Sequence, residues 1–328
     1  MNSILITGAT GFLGHRTIEY LLEKTDFNIV AAARTKRQER TFLSSRVIYH
    51  YGDLTQSNYV ASLFDTPLFA IVNCASLSAP WGKKSDFVKA NIDTQTLLIK
   101  YAKKNAVNRF IYISSPSIYV NHKDRFNIKE ESILFPAVNQ YAATKRKAEE
   151  LLRKSDLSFI ILRPRALVGK GDTIIFPRLI NAHKERRLKI IGNGQNICDL
   201  TAVKNVAHAI NLALTIGENG INEDYNITND KPVLLWKTIN EVFDALGYDI
   251  IKKSVPLKLA YIVATIGEYT AKLGLSQGEP ALLRYSISTL ACSMTFDISK
   301  AKKLLGYHPV MTIEEAIEEF ISSQNNAS

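Results

Sequence analysis

Residues 3–14 read Ser3-Ile4-Leu5-Ile6-Thr7-Gly8-Ala9-Thr10-Gly11-Phe12-Leu13-Gly14, an apolar strand that enters a turn with glycines at three-residue spacing and leaves it as a helix. The pyrophosphate of a dinucleotide needs this arrangement. It requires a tight turn, no side chains where backbone meets phosphate, and helix N–H groups aimed at the anion. Glycine turns also precede helices for purely structural reasons, so the neighbours decide. A helical pattern over Arg16–Lys24 and a second apolar strand from Asn28 to Ala33 complete a βαβ unit around the motif. The turn therefore predicts a nucleotide site, with Gly8, Thr10, Gly11, Phe12, Leu13 and Gly14 against the ligand.

Short apolar runs then alternate with helical patterns, as a parallel sheet with crossover helices requires. Strands are expected at 4–7, 29–33, 47–51, 70–74, 109–114 and 158–163, and helices near 13–24, 57–64, 85–105 and 140–155. Beyond Pro164, glycine-bearing loops alternate with helices around 174–186, 203–215, 235–246, 256–272 and 312–323. The fold class is α/β: a Rossmann doubly wound parallel sheet with a smaller C-terminal α+β lobe. Residues 1–165 form the dinucleotide domain and 166–328 mainly the substrate lobe, with a segment near 200–228 returning to the first domain.

With 328 residues the chain can bury a large core. No apolar run approaches the roughly 20 residues that span a bilayer. Val255–Ile266 comes nearest, is too short and contains Lys258. It reads as core, dimer contact, substrate lid or peripheral membrane contact. The first strand begins by residue 3, leaving no room for a signal peptide before it. Cys74, Cys198 and Cys292 are odd in number and widely spaced, which argues against a disulfide framework or a zinc site and fits a reducing cytoplasm. The net charge of +10 reads as a solvated lysine-rich surface. Without basic blocks interleaved with aromatics it does not suggest nucleic acid, but it would help collect an anionic cofactor or acidic substrate.

The residue that ends the second strand of such a fold lies beside the adenosine ribose, where an acid accepts from a 2′-hydroxyl and an arginine grips a 2′-phosphate. This chain has Ala33-Arg34-Thr35-Lys36-Arg37 and no acid before Glu39. Arg34 and Arg37 therefore favour NADP(H) over NAD(H), unless they are ordinary loop cations. Gly52-Asp53-Leu54 ends the third strand. There Asp53 either accepts the adenine amino group or caps the following helix. Asn73-Cys74-Ala75-Ser76 ends the fourth, with small residues that let backbone approach the cofactor.

Tyr141-Ala142-Ala143-Thr144-Lys145 carries the chemistry. Residues four apart on a helix share a face. A cation about 4 Å from the phenol, at an effective dielectric near 20, is worth roughly 4 kcal/mol, on the order of three pKa units. That would bring Tyr141 toward operating pH for proton transfer. Upstream, Phe110-Ile111-Tyr112-Ile113-Ser114-Ser115 is a strand ending in paired serines.

With the glycine turn, Gly52-Asp53-Leu54, the Ser-Ser strand end, the Tyr/Lys pair and Leu162-Arg163-Pro164, nearly the whole chain resembles the extended short-chain dehydrogenase/reductase family (NAD(P)-dependent epimerase/dehydratase superfamily). It looks most like the 3β-hydroxysteroid dehydrogenase-like branch, which includes bacterial 2-alkyl-3-oxoalkanoate reductases. The branch is suggested by Ala75–Gly82, Leu162–Gly169, Asn205–Ala209, Arg284-Tyr285 and Phe296–Lys302. The resemblance implies that Ser115 polarises the reacting oxygen, unless it merely caps a turn. Tyr141 is the implied acid/base, Lys145 also holds the nicotinamide ribose, and Pro164 completes the cofactor surface. One departure stands out: after Asn91 the family's Gly-Thr pair is replaced by Thr94-Gln95, so local packing should differ.

The implied reaction interconverts a ketone and a secondary alcohol with NADP(H), without a metal. A small apolar molecule such as a 3-oxoacid or a steroid-like or lipid-like ketone is expected. Trp81 is a candidate pocket wall or a packing residue. Arg165 would meet a substrate carboxylate or form a structural salt bridge. A homodimer is compatible with the family. Two other readings remain open: a nucleotide-sugar epimerase/dehydratase holding NAD, and a non-catalytic NADP-binding regulator.

Overall fold

The computed structural model describes residues 2–275 and 278–325. Seven strands form one parallel sheet: β1 (Ser3–Thr7), β2 (Asn28–Ala33), β3 (Val47–Tyr51), β4 (Ala70–Asn73), β5 (Arg109–Ile113), β6 (Phe159–Pro164) and β7 (Glu223–Ile227). Their spatial order is β7-β6-β5-β4-β1-β2-β3. Connections run outward in opposite directions from β1 and β4, so a crevice opens at the carboxyl ends of those two strands.

The sheet is apolar on both faces, and the alternation of side chains sorts its two cores. Ile4 and Ile6 point to the side covered by α1 (Phe12–Lys24), packed with Ile18 and Leu21. Leu5 and Ile71 point to the other side, covered by α2 (Ser57–Ser62), α3 (84–104) and α4 (Gln140–Arg153) through Val60, Leu98, Ala148 and Leu152. Helix α3 is continuous but takes a π turn over Val88–Asp93, which the sequence reading did not anticipate.

Further along come α5 (Ile175–Lys184), α6 (Val203–Thr215), α7 (Leu235–Ala245), α8 (Leu257–Lys272), α9 (Arg284–Ala291) and α10 (Ile313–Asn325). Phe176, Trp236, Phe243 and Phe320 bring α5, α7 and α10 into a core of their own. Helix α6 instead lies beside α1, with Val206, Ile210 and Leu214 on the main sheet. A second sheet pairs Val233–Leu234, Ile197–Cys198, Met294–Phe296 and Arg125–Ile128. The point between residues 165 and 166 is therefore crossed in both directions: α6 and β7 go back to the first sheet, and Arg125–Ile128 goes forward to the second. Tyr307 also returns, donating to the Thr228 carbonyl at 2.9 Å.

No helix among the described residues is long and apolar enough to cross a membrane. Helix α8 buries only Ala260, Ala264 and Glu268. Leu259, Ile262, Val263, Ile266 and Tyr269 are each more than half exposed, so that face is not core.

Candidate active site

The glycine turn is built by close approach. Gly8 has φ +65°, and a Cβ there would lie 3.0 Å from the Ala75 amide at the end of β4. At Gly14 a Cβ would meet the Gly8 carbonyl at 2.2 Å, so only glycine lets α1 start against this turn. Helix α1 begins after Gly11 with neither a side-chain cap nor an acid in its first turn. The first N–H groups of a helix lack intrahelical partners; here Phe12, Leu13 and Gly14 present them to the crevice, a cradle suited to a pyrophosphate. Thr10 ties the turn to the end of β2 through the Thr35 carbonyl at 3.4 Å.

Arg34 and Arg37 are exposed just past β2. The positive charge of Arg34 reaches Asp53, one of several influences that lower its carboxyl pKa, the first being the Thr55 amide. Asp53 Oδ1 accepts from the Thr55 amide at 2.9 Å and its hydroxyl at 2.8 Å. It closes a local turn and does not cap α2, whose N-cap is Gln56. Leu54 is half-buried beside it.

A buried polar relay fixes the other lip of the crevice. Thr7 Oγ1 donates to Asn73 Oδ1 at 2.6 Å, and Asn73 Nδ2 donates to Gln95 Oε1 at 2.6 Å. The Thr94-Gln95 departure is thus a working part: fully buried Gln95 holds Asn73, which with Thr7 receives the Ala75 amide. Asn91, inside the π turn of α3, accepts from the Leu77 amide at 2.8 Å and the Ser76 hydroxyl at 3.2 Å, and donates to Thr144 of α4 at 3.0 Å. It locks the loop after β4 to the helix of the Tyr/Lys pair.

Asn139 caps α4 by accepting from the Ala142 amide at 2.8 Å. One turn on, Lys145 is 3% exposed and donates to the Ile113 carbonyl at the end of β5 at 2.7 Å. Its Nζ lies 4.8 Å from the Tyr112 ring centre and 5.9 Å from that of Tyr141. Burial pulls the ammonium down to about 7, against the opposing pull of Cys74 and Glu149. Burial pushes the Cys74 thiol up to about 12, and Lys145 opposes that, so the two groups feel each other.

Tyr141 departs from the sequence expectation. Burial raises its phenol above the usual value, and the groups that draw it down are the hydroxyls of Ser115 and Ser78; Lys145 is not among them. Ser115 also serves as the N-cap of the short helix Pro116–Tyr119, accepting from the Ser117 amide at 3.2 Å, while its hydroxyl influences the Tyr141 phenol. Ser78 received no role from the sequence. Its only signal there was membership of the Ala75–Gly82 segment.

Beneath the pair lies an ion network. Arg163 Nε donates to Glu149 Oε1 at 2.9 Å, and its Nη2 contacts Glu149 and Asp224, both at 2.7 Å. The network bolts α4 to β6 and β7. Pro164, buried at the end of β6, pairs with Ile227.

The fold thus brings the glycine turn, Cys74, Ala75, Ser76, Ser115, Tyr141 and Lys145 to one end of the sheet. Trp81 is half-buried in the loop before α3. Arg165 is buried just past β6. A broad charged groove lined by Arg16, Glu19, Glu23, Lys170, Glu315 and Glu319 shares no residue with this cluster.

A seven-stranded sheet with this strand order, a glycine turn at its crevice and a Ser/Tyr/Lys set at its edge defines a dinucleotide-dependent enzyme class. The chain belongs to the NAD dependent epimerase/dehydratase family, which it matches over residues 4–228. It is 30% identical over 346 residues to the 3beta-hydroxysteroid-dehydrogenase/decarboxylase isoform 1 of Arabidopsis thaliana, covering 97% of this chain and 79% of that protein. It is 28% identical over 331 residues to the 2-alkyl-3-oxoalkanoate reductase of Stenotrophomonas maltophilia, covering 98% of each. Among solved structures, the Bordetella bronchiseptica enzyme WbmH in complex with NAD+ superposes with a TM-score of 0.79 over the full length of both chains, at 20% identity.

Proposed function

We propose that this protein is an NADP(H)-dependent oxidoreductase that interconverts a ketone and a secondary alcohol on an apolar small molecule, a 3-oxoacid or a steroid-like or lipid-like ketone, in the cytoplasm. The observation that carries the reading is Tyr141, its phenol influenced by the Ser115 and Ser78 hydroxyls and its helix shared with a buried lysine at the crevice of the glycine turn. A bound nicotinamide dinucleotide supplies or takes the hydride. In the reducing direction Ser115 and Tyr141 donate hydrogen bonds to the carbonyl oxygen. Those bonds strengthen as negative charge grows there, which lowers the barrier more than it lowers the ground state. Tyr141 then hands its proton to that oxygen, leaving the alcohol. Lys145, anchored by its bond to the Ile113 carbonyl, would in its protonated form hold the nicotinamide ribose; the phenol itself is drawn down by the Ser115 and Ser78 hydroxyls and not by Lys145.

The exposed Arg34 and Arg37 support NADP(H), since the end of β2 offers no carboxylate to a ribose 2′-hydroxyl. NADPH oxidation screened against 3-oxoacids, steroids and aryl ketones, with NADH in parallel, tests the reading. Arg34→Asp is expected to lower the ratio of kcat/KM for NADPH over NADH at least tenfold, and a wild-type enzyme that uses both equally would remove the role of Arg34. Copurified NAD with no net ketone reduction would favour the epimerase reading. No consumption across the panel would favour a non-catalytic regulator.

The buried lysine also sets a pH dependence. A lysine with a pKa of about 7 is charged below that value and loses its proton as the pH rises through it. The kcat/KM for reduction should therefore fall above about pH 7, by up to tenfold per unit. In Lys145→Arg, whose guanidinium stays protonated, that limb should vanish. A wild-type profile flat from pH 6 to 9 would contradict the assignment.

A further inference from the structure

Helix α8 carries its bulk on the wrong side for a helix that only completes its lobe. Its inner face meets Ile191 and Ile287 through the small residues Ala260 and Ala264. Leu259, Ile262, Val263, Ile266, Tyr269 and Leu273 instead lie outward, each more than half exposed. Their spacing of three and four puts them on one face, a stripe about 20 Å long. A helix that serves only its own domain turns its bulky residues inward and its polar ones to water. An outward apolar patch of this kind marks a contact with another molecule or with a membrane.

The charges around the stripe narrow the choice. The one acid of α8, Glu268, is buried and spent on Arg284, whose Nε donates to Oε2 at 2.9 Å and whose amide donates to Oε1 at 2.7 Å. Lys258 and Lys272 flank the stripe near its two ends, both exposed and, among the described residues, in no ion pair. More cations gather where the helix starts. The Ile190 amide donates to the Lys253 carbonyl at 2.9 Å, which brings Lys189 beside Lys252 and Lys253. All three are exposed and unpaired among the described residues.

A second copy of this chain answers these charges badly. Pairing the stripe with itself across a twofold axis sets like against like, and α8 has no free carboxylate to offer the lysines. An anionic bilayer surface answers all of them. Lysine stems lie along apolar surface while their ammonium groups reach the lipid phosphates, and the net charge of +10 adds attraction at longer range.

We propose that α8 docks the protein on an anionic lipid surface. The helix lies in the plane of the interface, its apolar stripe among the acyl chains and its flanking lysines against the headgroups. At 16 residues it is too short to cross the bilayer. The docking helix is tied to the lip of the candidate site. Tyr261 of α8 and His122 share Ser288 Oγ, at 3.2 Å and 2.5 Å, and His122 lies three residues past the short helix that Ser115 caps. Resting on the oxidoreductase reading, an apolar ketone dissolved in the lipid would meet an enzyme already seated on it.

Flotation of the full-length protein with vesicles of phosphatidylcholine, alone or mixed with phosphatidylglycerol, tests the docking without any turnover, so a failed oxidoreductase reading leaves it standing. Wild type should bind the mixed vesicles about tenfold or more tighter than phosphatidylcholine alone, and added salt should erase the difference. The double variant Lys258→Gln/Lys272→Gln should lose about 25-fold on mixed vesicles, at about fivefold per lysine, and little on phosphatidylcholine. The double variant Ile262→Gln/Ile266→Gln should lose about tenfold or more on both, with the melting temperature unchanged because both side chains are exposed. If that variant misfolds, the lysine pair and the lipid comparison decide alone. Wild type that ignores both kinds of vesicle overturns the proposal, as does binding indifferent to lipid charge or to either pair of substitutions. A dimer dispersed by Ile262→Gln/Ile266→Gln, in a protein that ignores vesicles, gives the face to a second copy and overturns it too.

Discussion

Tyr141→Phe is expected to lower kcat for ketone reduction by about 10²–10⁴-fold, the usual worth of a positioned proton donor, with dinucleotide affinity within about twofold of wild type. The change removes one oxygen from a ring already held in place by α4, and it leaves the Ile113 bond of Lys145 intact. On the proposed mechanism Ser115 would still polarise the reacting oxygen, so residual turnover above background should remain. Steady-state kinetics with a fluorescence titration of NADPH separates the two effects. Equal losses of affinity and rate would point to a misplaced helix, and near-normal turnover would remove Tyr141 from the mechanism. Because burial holds the phenol above its ordinary range, it rests protonated at neutral pH. That suits the donor role in reduction, and alcohol oxidation should accelerate as the pH rises until the loss of charge on Lys145 intervenes.

Arg163→Met should destabilise the fold by about 3–5 kcal/mol, the typical result of breaking a buried pair from one side. Arg163 and Glu149 are 2% and 3% exposed, so solvent cannot take over the abandoned carboxylate. Burial pulls the guanidinium down, but Glu149, Tyr119 and Asp224 outweigh it and hold the pKa above the usual value. Burial likewise pushes Asp224 up, and its partners Arg153 and Arg163 hold it below the ordinary carboxylate range. In the wild type a lowered carboxylate pKa contributes stability that is present above its unfolded value and lost as the pH falls through the folded one. In Arg163→Met the carboxylates lose that support, and protonation relieves them. The stability gap between the two proteins, measured by denaturant titration, should therefore narrow from pH 7 to pH 4. A gap that is constant or widens on acidification would mean that the ion network does not carry the effect.

The strand–turn–helix opening and the alternation of apolar runs were legible because both follow from local spacing. Each expected strand of the first half formed within a residue or two of its expected ends, and the Tyr/Lys spacing held to one face of α4. Strand β7 escaped because Glu223, Asp224 and Asn226 look like loop residues. They are tolerated in a sheet only because Asp224 meets Arg153 and Arg163 and Asn226 meets Glu130 and the Ile128 carbonyl. Partners 71 or 96 residues away along the chain leave no trace in a local window. The same holds for the burial of Lys145, which turns a surface-type residue into one titrating near neutrality. Asn91 and Gln95 look like helix-surface amides and become buried fasteners only once β4 and α4 close on them. Arg165 offered two readings to the sequence, a ligand contact or a salt bridge. Among the described residues the second finds no partner.

Because α6 and β7 complete a layer begun almost 200 residues earlier, the N-terminal portion cannot be excised as a self-sufficient module. A fragment cut after residue 165 would carry β6 as a bare margin of unpaired amides and carbonyls, the kind of border that recruits other chains. It would also lack half of the charge that neutralises Arg163. Any grafting of a new substrate lobe onto this scaffold must therefore keep residues 203–227 with the host, together with the later segment whose Ile298, Ala301, Leu305 and Tyr307 pack into the same core.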